Sequence, residues 1–334
     1  MAGGVERGGG EIKGPRHGRG RARDHGAPLS AARQAGFRFD DIAAFDDIAL
    51  QTFLDPLDGG IDPEQLGLAA AGCGSALVER LAWCLPGVAA QRFLAAARST
   101  PSRTVVDRAR GEVLAQLFWP LVYWTRPHDY EELIRGEHIA DRVLDELDLA
   151  GKDVCDIGAG TGRFALAAAR RARRVVAVDA VPALLRRLRS AARTEHLANV
   201  ETRRGSFRAL PVPDHSVDLA VACSSFTTAG VHGGALAVRE AERIVRPGGA
   251  VAIIWPQQPR WFLARGYEHI VVRGWGALRF RDVATAERLC LTYYSSAAAR
   301  WVREHRAPDV PYEVLGVSPP NDVCIKRIAA TPSP

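Results

Sequence analysis

The chain has 334 residues, of which 47% are hydrophobic and 25% charged, and its formal net charge is +6. These values are ordinary for a globular protein, and the absence of an apolar run of about 18 residues predicts that no segment crosses a membrane. The six cysteines are scattered, without a Cys-x-x-Cys pair, which argues against a metal site and a disulfide framework. The first 30 residues lack the apolar segment of a secretion signal, so we expect a cytoplasmic protein.

Residues 1–30 are rich in glycine and arginine and contain few large apolar side chains. Such a segment cannot bury enough surface to offset the entropy of ordering it, which predicts a disordered tail. The tail carries six basic and three acidic residues, so half of the net charge lies there. An arginine-rich, solvated surface explains this charge without nucleic acid, which we do not expect as a partner.

Residues 31–149 are predicted to be helical. Apolar residues recur at helical spacing in segments 77–85 and 105–117, and Asp62 followed by Pro63 is typical of a helix start. No strand-like alternation interrupts this pattern. We expect an N-terminal helical region that covers a binding site or forms a homodimer interface.

From residue 150 onward, short apolar strands alternate with helices, which is typical of a parallel α/β sheet. Residues 260–306 are predicted to be mostly helical. Two final segments, 312–318 and 322–328, are separated by Pro319-Pro320-Asn321, which predicts a C-terminal antiparallel hairpin. The predicted strands are Asp153–Ile157, Arg174–Asp179, Asn199–Arg203, Val217–Cys223 and Ala250–Trp255.

A glycine-rich turn follows the first of these strands. Its sequence is Asp-x-Gly-x-Gly-x-Gly, whereas a dinucleotide site would have Gly-x-Gly-x-x-Gly. The carboxylate of Asp156 would repel phosphate and attract a cation at close range. S-adenosylmethionine (SAM), which has no phosphate and carries an ammonium and a sulfonium, is the cofactor that this pattern favours. The turn contributes Gly158, Ala159, Gly160, Thr161 and Gly162 to the predicted site.

Residues 150–256 resemble a class I SAM-dependent methyltransferase, nearest to the small-molecule branch that includes quinone-biosynthesis enzymes. The segment Leu210–Asp218 matches the Leu-Pro-x-x-Asp-x-Ser-x-Asp run of that branch. The resemblance implies a Rossmann-like, mostly parallel sheet with a C-terminal antiparallel hairpin, preceded here by the helical region. It also implies that residues 150–330 form the SAM-binding domain.

Further cofactor contacts are expected at the carboxyl ends of the strands, where such sheets bind ligands. Asp179 ends the second strand and could accept hydrogen bonds from both ribose hydroxyls, while Ala180 leaves room for adenine. The resemblance implies that Ser206 meets the adenine amino group and that Phe207 covers its ring. Cys223 would lie near the methionine moiety because it ends the fourth strand.

The aromatic segment 118–130 precedes the first strand. In methyltransferases of this type, a Tyr or Trp before that strand often contacts the methionine end of SAM, and aromatic faces suit a sulfonium. Tyr130 is the first candidate for this contact and Tyr123 the second. His232, in the glycine-rich loop after the fourth strand, is the candidate base for a hydroxyl acceptor.

These observations predict methyl transfer to a small-molecule acceptor, on O, C or N, by in-line displacement at the sulfonium methyl group. An RNA methyltransferase is an alternative, although the chain lacks the Asn/Asp-Pro-Pro-Tyr/Phe motif of enzymes that methylate base amino groups. A catalytically silent regulatory subunit with the same fold is another alternative. The glycine spacing disfavours a dehydrogenase.

Overall fold

The computed structural model describes residues 5–7, 35–55, 60–227, 233–272 and 276–330. Within these ranges the strands are β1 (Val5–Arg7), β2 (Asp153–Ile157), β3 (Arg174–Asp179), β4 (Val200–Arg204), β5 (Val217–Cys223), β6 (Val245–Ile254), β7 (Glu268–Val272), β8 (Ala277–Arg279), β9 (Asp309–Pro311) and β10 (Asp322–Arg327). Eight of them form one sheet in the order β1-β7-β10-β6-β5-β2-β3-β4, and β8 pairs with β9.

The helices are α1 (Asp47–Leu54), α2 (Pro63–Ala70), α3 (Ser75–Cys84), α4 (Gly87–Ala97), α5 (Arg103–Gln116), α6 (Phe118–Thr125), α7 (Pro127–Arg135), α8 (Asp141–Asp145), α9 (Arg163–Ala169), α10 (Pro182–Thr194), α11 (Gly234–Ile244), α12 (Pro259–Leu263), α13 (Val283–Tyr293), α14 (Ser296–His305) and α15 (Tyr312–Leu315), with a 3-10 helix at Phe39–Ala44.

The centre of the sheet is parallel, from β4 through β3, β2 and β5 to β6. Buried parallel strands require apolar side chains on both faces, and every residue of β2 is buried. The antiparallel strand β10 lies between β6 and β7. The predicted fold class is therefore confirmed as a mostly parallel, Rossmann-like sheet with an antiparallel pair at its C-terminal end.

The members of the antiparallel pair differ from the prediction. The segment expected to be the hairpin partner of β10 contains α15, and the partners of β10 are β6 and β7. The interpretation of residues 260–306 as mostly helical is therefore wrong for β7. Only Ile270 and Val272 of β7 are buried. Two alternating apolar positions are too few to distinguish a strand from a helix in the sequence.

A second layer, which we call the cap, consists of residues 35–55, 60–137 and 276–317. Its apolar side chains form a core separate from the two cores on the faces of the sheet. The cap core joins α1–α7 to α13–α15, which lie in the connection between β7 and β10. The cap therefore extends beyond the predicted helical region 31–149 into the chain after residue 150.

The N-terminal tail was predicted to be disordered, and the sequence predicted neither a membrane span nor a metal site. Val5–Arg7 pair antiparallel with β7, so three residues of the predicted disordered tail form a strand, and most of that tail lies outside the described residues. In the described part of the chain, no helix is long and apolar enough to cross a bilayer. The same part contains no cluster of three or more potential His, Cys, Asp or Glu metal ligands.

Candidate functional site

The glycine turn leaves β2 at Ile157 and is tied to the end of β3. The amides of Gly158 and Ala159 donate to the Val178 carbonyl at 2.8 and 3.0 Å. Gly158 and Gly160 have φ angles of 75° and 55°, in the left-handed region that favours glycine. The turn thus brings main chain without side chains to the carboxyl edge of the sheet, where Gly160 is buried and Gly158 is partly exposed.

Asp179 ends β3 and is hydrogen-bonded to this turn. Its Oδ2 accepts a hydrogen bond from the Gly160 amide at 2.8 Å, and its Oδ1 accepts one from the Val181 amide at 2.8 Å. Burial raises the pKa of Asp179, and these two hydrogen bonds oppose that rise. A carboxylate oxygen can accept more than one hydrogen bond, so each retains capacity for a further donor.

Tyr130 of α7 packs directly on the turn from the cap side. A Cβ atom placed on Gly160 would lie 2.7 Å from the Tyr130 hydroxyl oxygen. The ring of Tyr123 is edge-on to Tyr130, with 4.8 Å between centroids. Burial raises the pKa of Tyr130 well above its ordinary value, so this phenol is neutral.

Gly158 is enclosed from the other side. A Cβ on it would lie 2.6 Å from Ser225 Cβ and 3.2 Å from Phe207 Cε1. Ser225, just after β5, donates its hydroxyl to the Ile157 carbonyl at 2.7 Å. The residues following β2, β4 and β5 therefore meet at one point of the sheet edge, as expected for a ligand site in this type of sheet.

Between this edge and the cap lies a cavity of 110 Å³. A second cavity of 200 Å³ adjoins it and shares Phe53, Ala180 and Phe207 with it. Ser206 lines the second cavity. The first cavity is lined by Phe53, Trp119, Pro120, Tyr123, Trp124, Tyr130, Ile134, Glu137, Gly158, Arg163, Asp179, Ala180, Val181, Leu184, Phe207, Cys223, Ser224 and Ser225.

Asp156 lies beneath the turn, in β2, with 1% of its surface exposed. Among the described residues, its carboxylate oxygens lack a partner of full hydrogen-bond geometry, and the nearby Ala165 amide only partly opposes the effect of burial on its pKa. Burial raises its pKa from 3.8 to about 7. Because an incompletely paired buried carboxylate is costly, it is a position where a cation would be favoured.

The structure brings together seven of the predicted residues around the first cavity: Tyr123, Tyr130, Gly158, Asp179, Ala180, Phe207 and Cys223. Ala159 and Thr161 are buried within the turn. A Cβ on Gly162 would lie 3.0 Å from Leu166 and from Leu188, so this glycine allows close packing of α9 and α10, and its contact with the cofactor stays a prediction. His232 lies outside the described residues.

The lining residues that the sequence did not predict include Arg163, Glu137 and Phe53. Arg163 follows the third glycine directly, and its side chain is ion-paired with Glu137 of the cap (Nη1–Oε2, 2.5 Å). The position of Arg163 next to the turn was an available signal. Glu137 and Phe53 carried no comparable signal, because only the packing of the cap brings them to the cavity.

Comparison with known proteins agrees with this geometry. Residues 155–253 match the family model described as "Methyltransferase domain". An uncharacterized methyltransferase of Mycobacterium tuberculosis is 33% identical over 109 residues, which cover 33% of this chain and 42% of that protein. A demethylmenaquinone methyltransferase of Tropheryma whipplei is 32% identical over 118 residues, covering 35% of this chain and 47% of that protein. The match thus spans less than half of either relative.

The family model and these relatives support a class I SAM-dependent methyltransferase domain over residues 155–253. Among solved structures, a SAM dependent methyltransferase from Aquifex aeolicus is 24% identical, with a TM-score of 0.32, covering 38% of this chain and 66% of that one. The cofactor of the family is SAM, and the residues of the methyltransferase domain fit it chemically. The glycine turn, the remaining acceptor capacity of Asp179 and the buried carboxylate of Asp156 all suit a cationic nucleoside without phosphate.

The contact between Gly160 and Tyr130 leads to a stability prediction. We expect Gly160→Ala to destabilise the methyltransferase domain by about 2–4 kcal/mol, because left-handed strain and an overlap with Tyr130 add together. Gly151→Ala is the matched control, since Gly151 also has a left-handed φ of 67° but its Cβ would meet no atom within 4 Å. Urea unfolding measures both. Equal losses would show that the Tyr130 contact is unimportant, and Tyr130→Phe should recover part of the larger loss.

Proposed function

We propose that the chain transfers the methyl group of SAM to a small-molecule acceptor held under the cap. The observation that carries this proposal is the cavity between the glycine turn with Asp179 and the aromatic side chains of the cap. SAM supplies an activated methyl group, which passes to the acceptor while the sulfur retains the electron pair of the broken bond. The protein then needs chiefly to align the acceptor, and such alignment can supply several kcal/mol, within the ~7–11 of proximity effects.

Different predicted residues contact different parts of the cofactor. Asp179 accepts hydrogen bonds from the two ribose hydroxyls, because its oxygens can each accept a further bond. Ala180 and Phe207, which border both cavities, flank the adenine, and Ser206 lies at its edge. The rings of Tyr130 and Tyr123 face the sulfonium, which aromatic faces attract.

A small acceptor is favoured over RNA by the wall that the cap provides. Phe53, Trp119 and Trp124 close the cavity on the cap side with apolar surface, which suits a compact organic molecule better than a polyanion. The demethylmenaquinone methyltransferase among the relatives is named for a quinone acceptor, which also supports this class of acceptor.

We propose His232 as the base for acceptors that must lose a proton. We propose a cytoplasmic location, which the free thiols of all six cysteines support.

The test is calorimetric titration of the purified chain with SAM, followed by incubation of the complex with isotope-labelled SAM and a panel of phenols, quinols and amines. We expect SAM binding and transfer of label to a member of the panel. A folded protein that does not bind SAM would contradict the proposal. Binding without transfer to any acceptor, including total RNA, would favour the regulatory-subunit alternative.

A further inference from the structure

Arg163 and Glu137 form a buried ion pair at one end of the cavity. Arg163 is the first residue of α9, directly after the glycine turn, and Glu137 follows α7 of the cap. Their side chains are 12% and 1% exposed, and Nη1 of Arg163 lies 2.5 Å from Oε2 of Glu137. Both residues line the first cavity. The pair therefore joins the sheet to the cap next to the predicted cofactor.

Uncharged side chains surround most of the pair, and the buried carboxyl of Asp156 is close enough to interact with the charge of Arg163. The guanidinium carbon of Arg163 lies 5.6 Å from the centroid of the Trp255 ring. The Tyr294 hydroxyl donates to Oε1 of Glu137 at 3.4 Å. Burial raises the pKa of the neighbouring Cys223 to about 11, so its thiol carries no charge. In such surroundings the two charges lose most of their hydration.

Stability alone gives little reason to place an ion pair here. Removing two charges from water costs several kcal/mol per ion, and apolar side chains of similar volume often stabilise a fold as well or better. An ion pair that lines a cavity can also bind a ligand, because each of its two charged side chains can interact with a ligand group of opposite charge. The amino-acid end of SAM is such a ligand, with one carboxylate and one ammonium.

We propose that Arg163 binds the carboxylate and Glu137 the ammonium of the methionine moiety of SAM. Among the described residues lining the cavity, Arg163 carries the only positive charge, and the other acid, Asp179, is assigned to the ribose. A guanidinium fork matches a carboxylate in a two-point contact, which a lysine could not make. The inference rests on the proposed function and adds the residues that distinguish SAM from a simple nucleoside.

The charges of the cavity support this assignment. Arg163, Glu137 and Asp179 sum to −1, whereas bound SAM, with an ammonium, a sulfonium and a carboxylate, sums to +1. Without Arg163, the carboxylate of SAM would meet only the negative charges of Glu137 and Asp179 in this cavity. Arg163 therefore makes the amino-acid end acceptable to the site, and Glu137 keeps Arg163 oriented before the ligand arrives.

The experiment compares two ligands by calorimetry. SAM has the amino-acid end, while 5′-methylthioadenosine has the adenine, the ribose and a thioether but no amino acid. The main variant is Arg163→Met with Glu137→Gln, which removes both charges together and avoids leaving one of them buried and unpaired. Single variants Arg163→Lys and Glu137→Gln test the fork and the acid. Arg170→Ala, which removes the exposed pair with Glu195 at the other end of α9, is the matched control.

We expect the double variant to bind SAM about 10- to 150-fold more weakly than wild type, as for the net loss of one charge-assisted hydrogen bond. Its affinity for 5′-methylthioadenosine should change less than about threefold, and Arg170→Ala should change neither affinity. Unchanged SAM affinity, or equal loss for both ligands, would overturn the inference and make the pair a structural link. A wild-type protein that binds neither ligand would instead contradict the proposed function.

Discussion

Replacing Asp179 with alanine is expected to lower the affinity for SAM by 100-fold or more. The variant loses two hydrogen bonds to the ribose, each charge-assisted and worth about 1.5–3 kcal/mol. It also loses the bonds that Asp179 accepts from the amides of Gly160 and Val181, so the turn itself is less fixed. Calorimetric titration with SAM measures the effect, and thermal unfolding of the same sample shows whether the fold is retained.

Two further variants define what this result means. Asp179→Asn retains one accepting oxygen, so its affinity should lie between those of wild type and Asp179→Ala. Asp145→Ala removes another carboxylate of the sheet domain, one that is exposed and paired with Arg171, and should leave SAM binding unchanged. Binding by Asp179→Ala within about threefold of wild type would contradict the assignment of Asp179 to the ribose.

The second prediction concerns Asp156, whose replacement by asparagine should make the protein more stable and bind SAM more weakly. The pKa of Asp156 is about 7 in the folded protein, whereas its ordinary value is 3.8, so between these pH values the folded state holds a proton that the unfolded state has released. Stability therefore falls as pH rises from about 4 to 7, by at most ~1.4 kcal/mol per pH unit. Asparagine avoids this cost, so Asp156→Asn should be more stable at pH 7.5 by on the order of 2–4 kcal/mol.

The same titration should appear in binding. A cationic ligand in the adjacent cavity favours the ionised form of Asp156, so wild-type affinity for SAM should fall as pH decreases below 7. The range pH 5.5–7.5 is suitable because an α-amino group, with an ordinary pKa of about 7.7–8.0, stays largely protonated there. Asp156→Asn should bind SAM more weakly than wild type at pH 7.5 and show no such pH dependence.

Asp153, in the same strand, provides a control of opposite sign. A hydrogen bond from Arg173 lowers the pKa of Asp153, so this carboxylate contributes stability that is lost as pH falls through its folded-state pKa. Asp153→Asn should therefore be less stable than wild type at pH 7.5, with a difference that disappears in acid. Urea unfolding between about pH 2 and 7.5 measures all three proteins, because the loss for Asp153 occurs below pH 4. An Asp156→Asn variant no more stable than wild type at pH 7.5 would contradict the assigned cost of burial.

The central sheet could be predicted closely from the sequence, because each parallel strand has a recognisable pattern in its own few residues. Asp153–Ile157 and Arg174–Asp179 are short, largely apolar runs, each followed by a helix-forming segment, and their predicted bounds match the structure. The glycine turn and Asp179 could be placed for the same reason, since the order of strand, turn and helix puts them at one edge. These features depend on residues near one another in the chain.

The cap could not be predicted in this way. Phe53 and Glu137 reach the cavity only through packing among helices, and α13–α15 join the cap core after more than a hundred residues of intervening sheet. Helical periodicity identifies a buried face but does not say which other face covers it. The ion pair of Glu137 with Arg163 was missed for that reason, although Arg163 itself lies beside the predicted turn.

The split origin of the cap has a consequence for how the chain folds during synthesis. Residues 35–135 are synthesised before residues 276–317, yet their core also needs Leu278, Leu289 and Val302. Contacts so distant in sequence are slow to form, because a long loop must close before they stabilise anything. The helices of residues 35–135 therefore keep apolar surface exposed until residues 276–317 have been synthesised, and we expect them to be bound by chaperones during that interval.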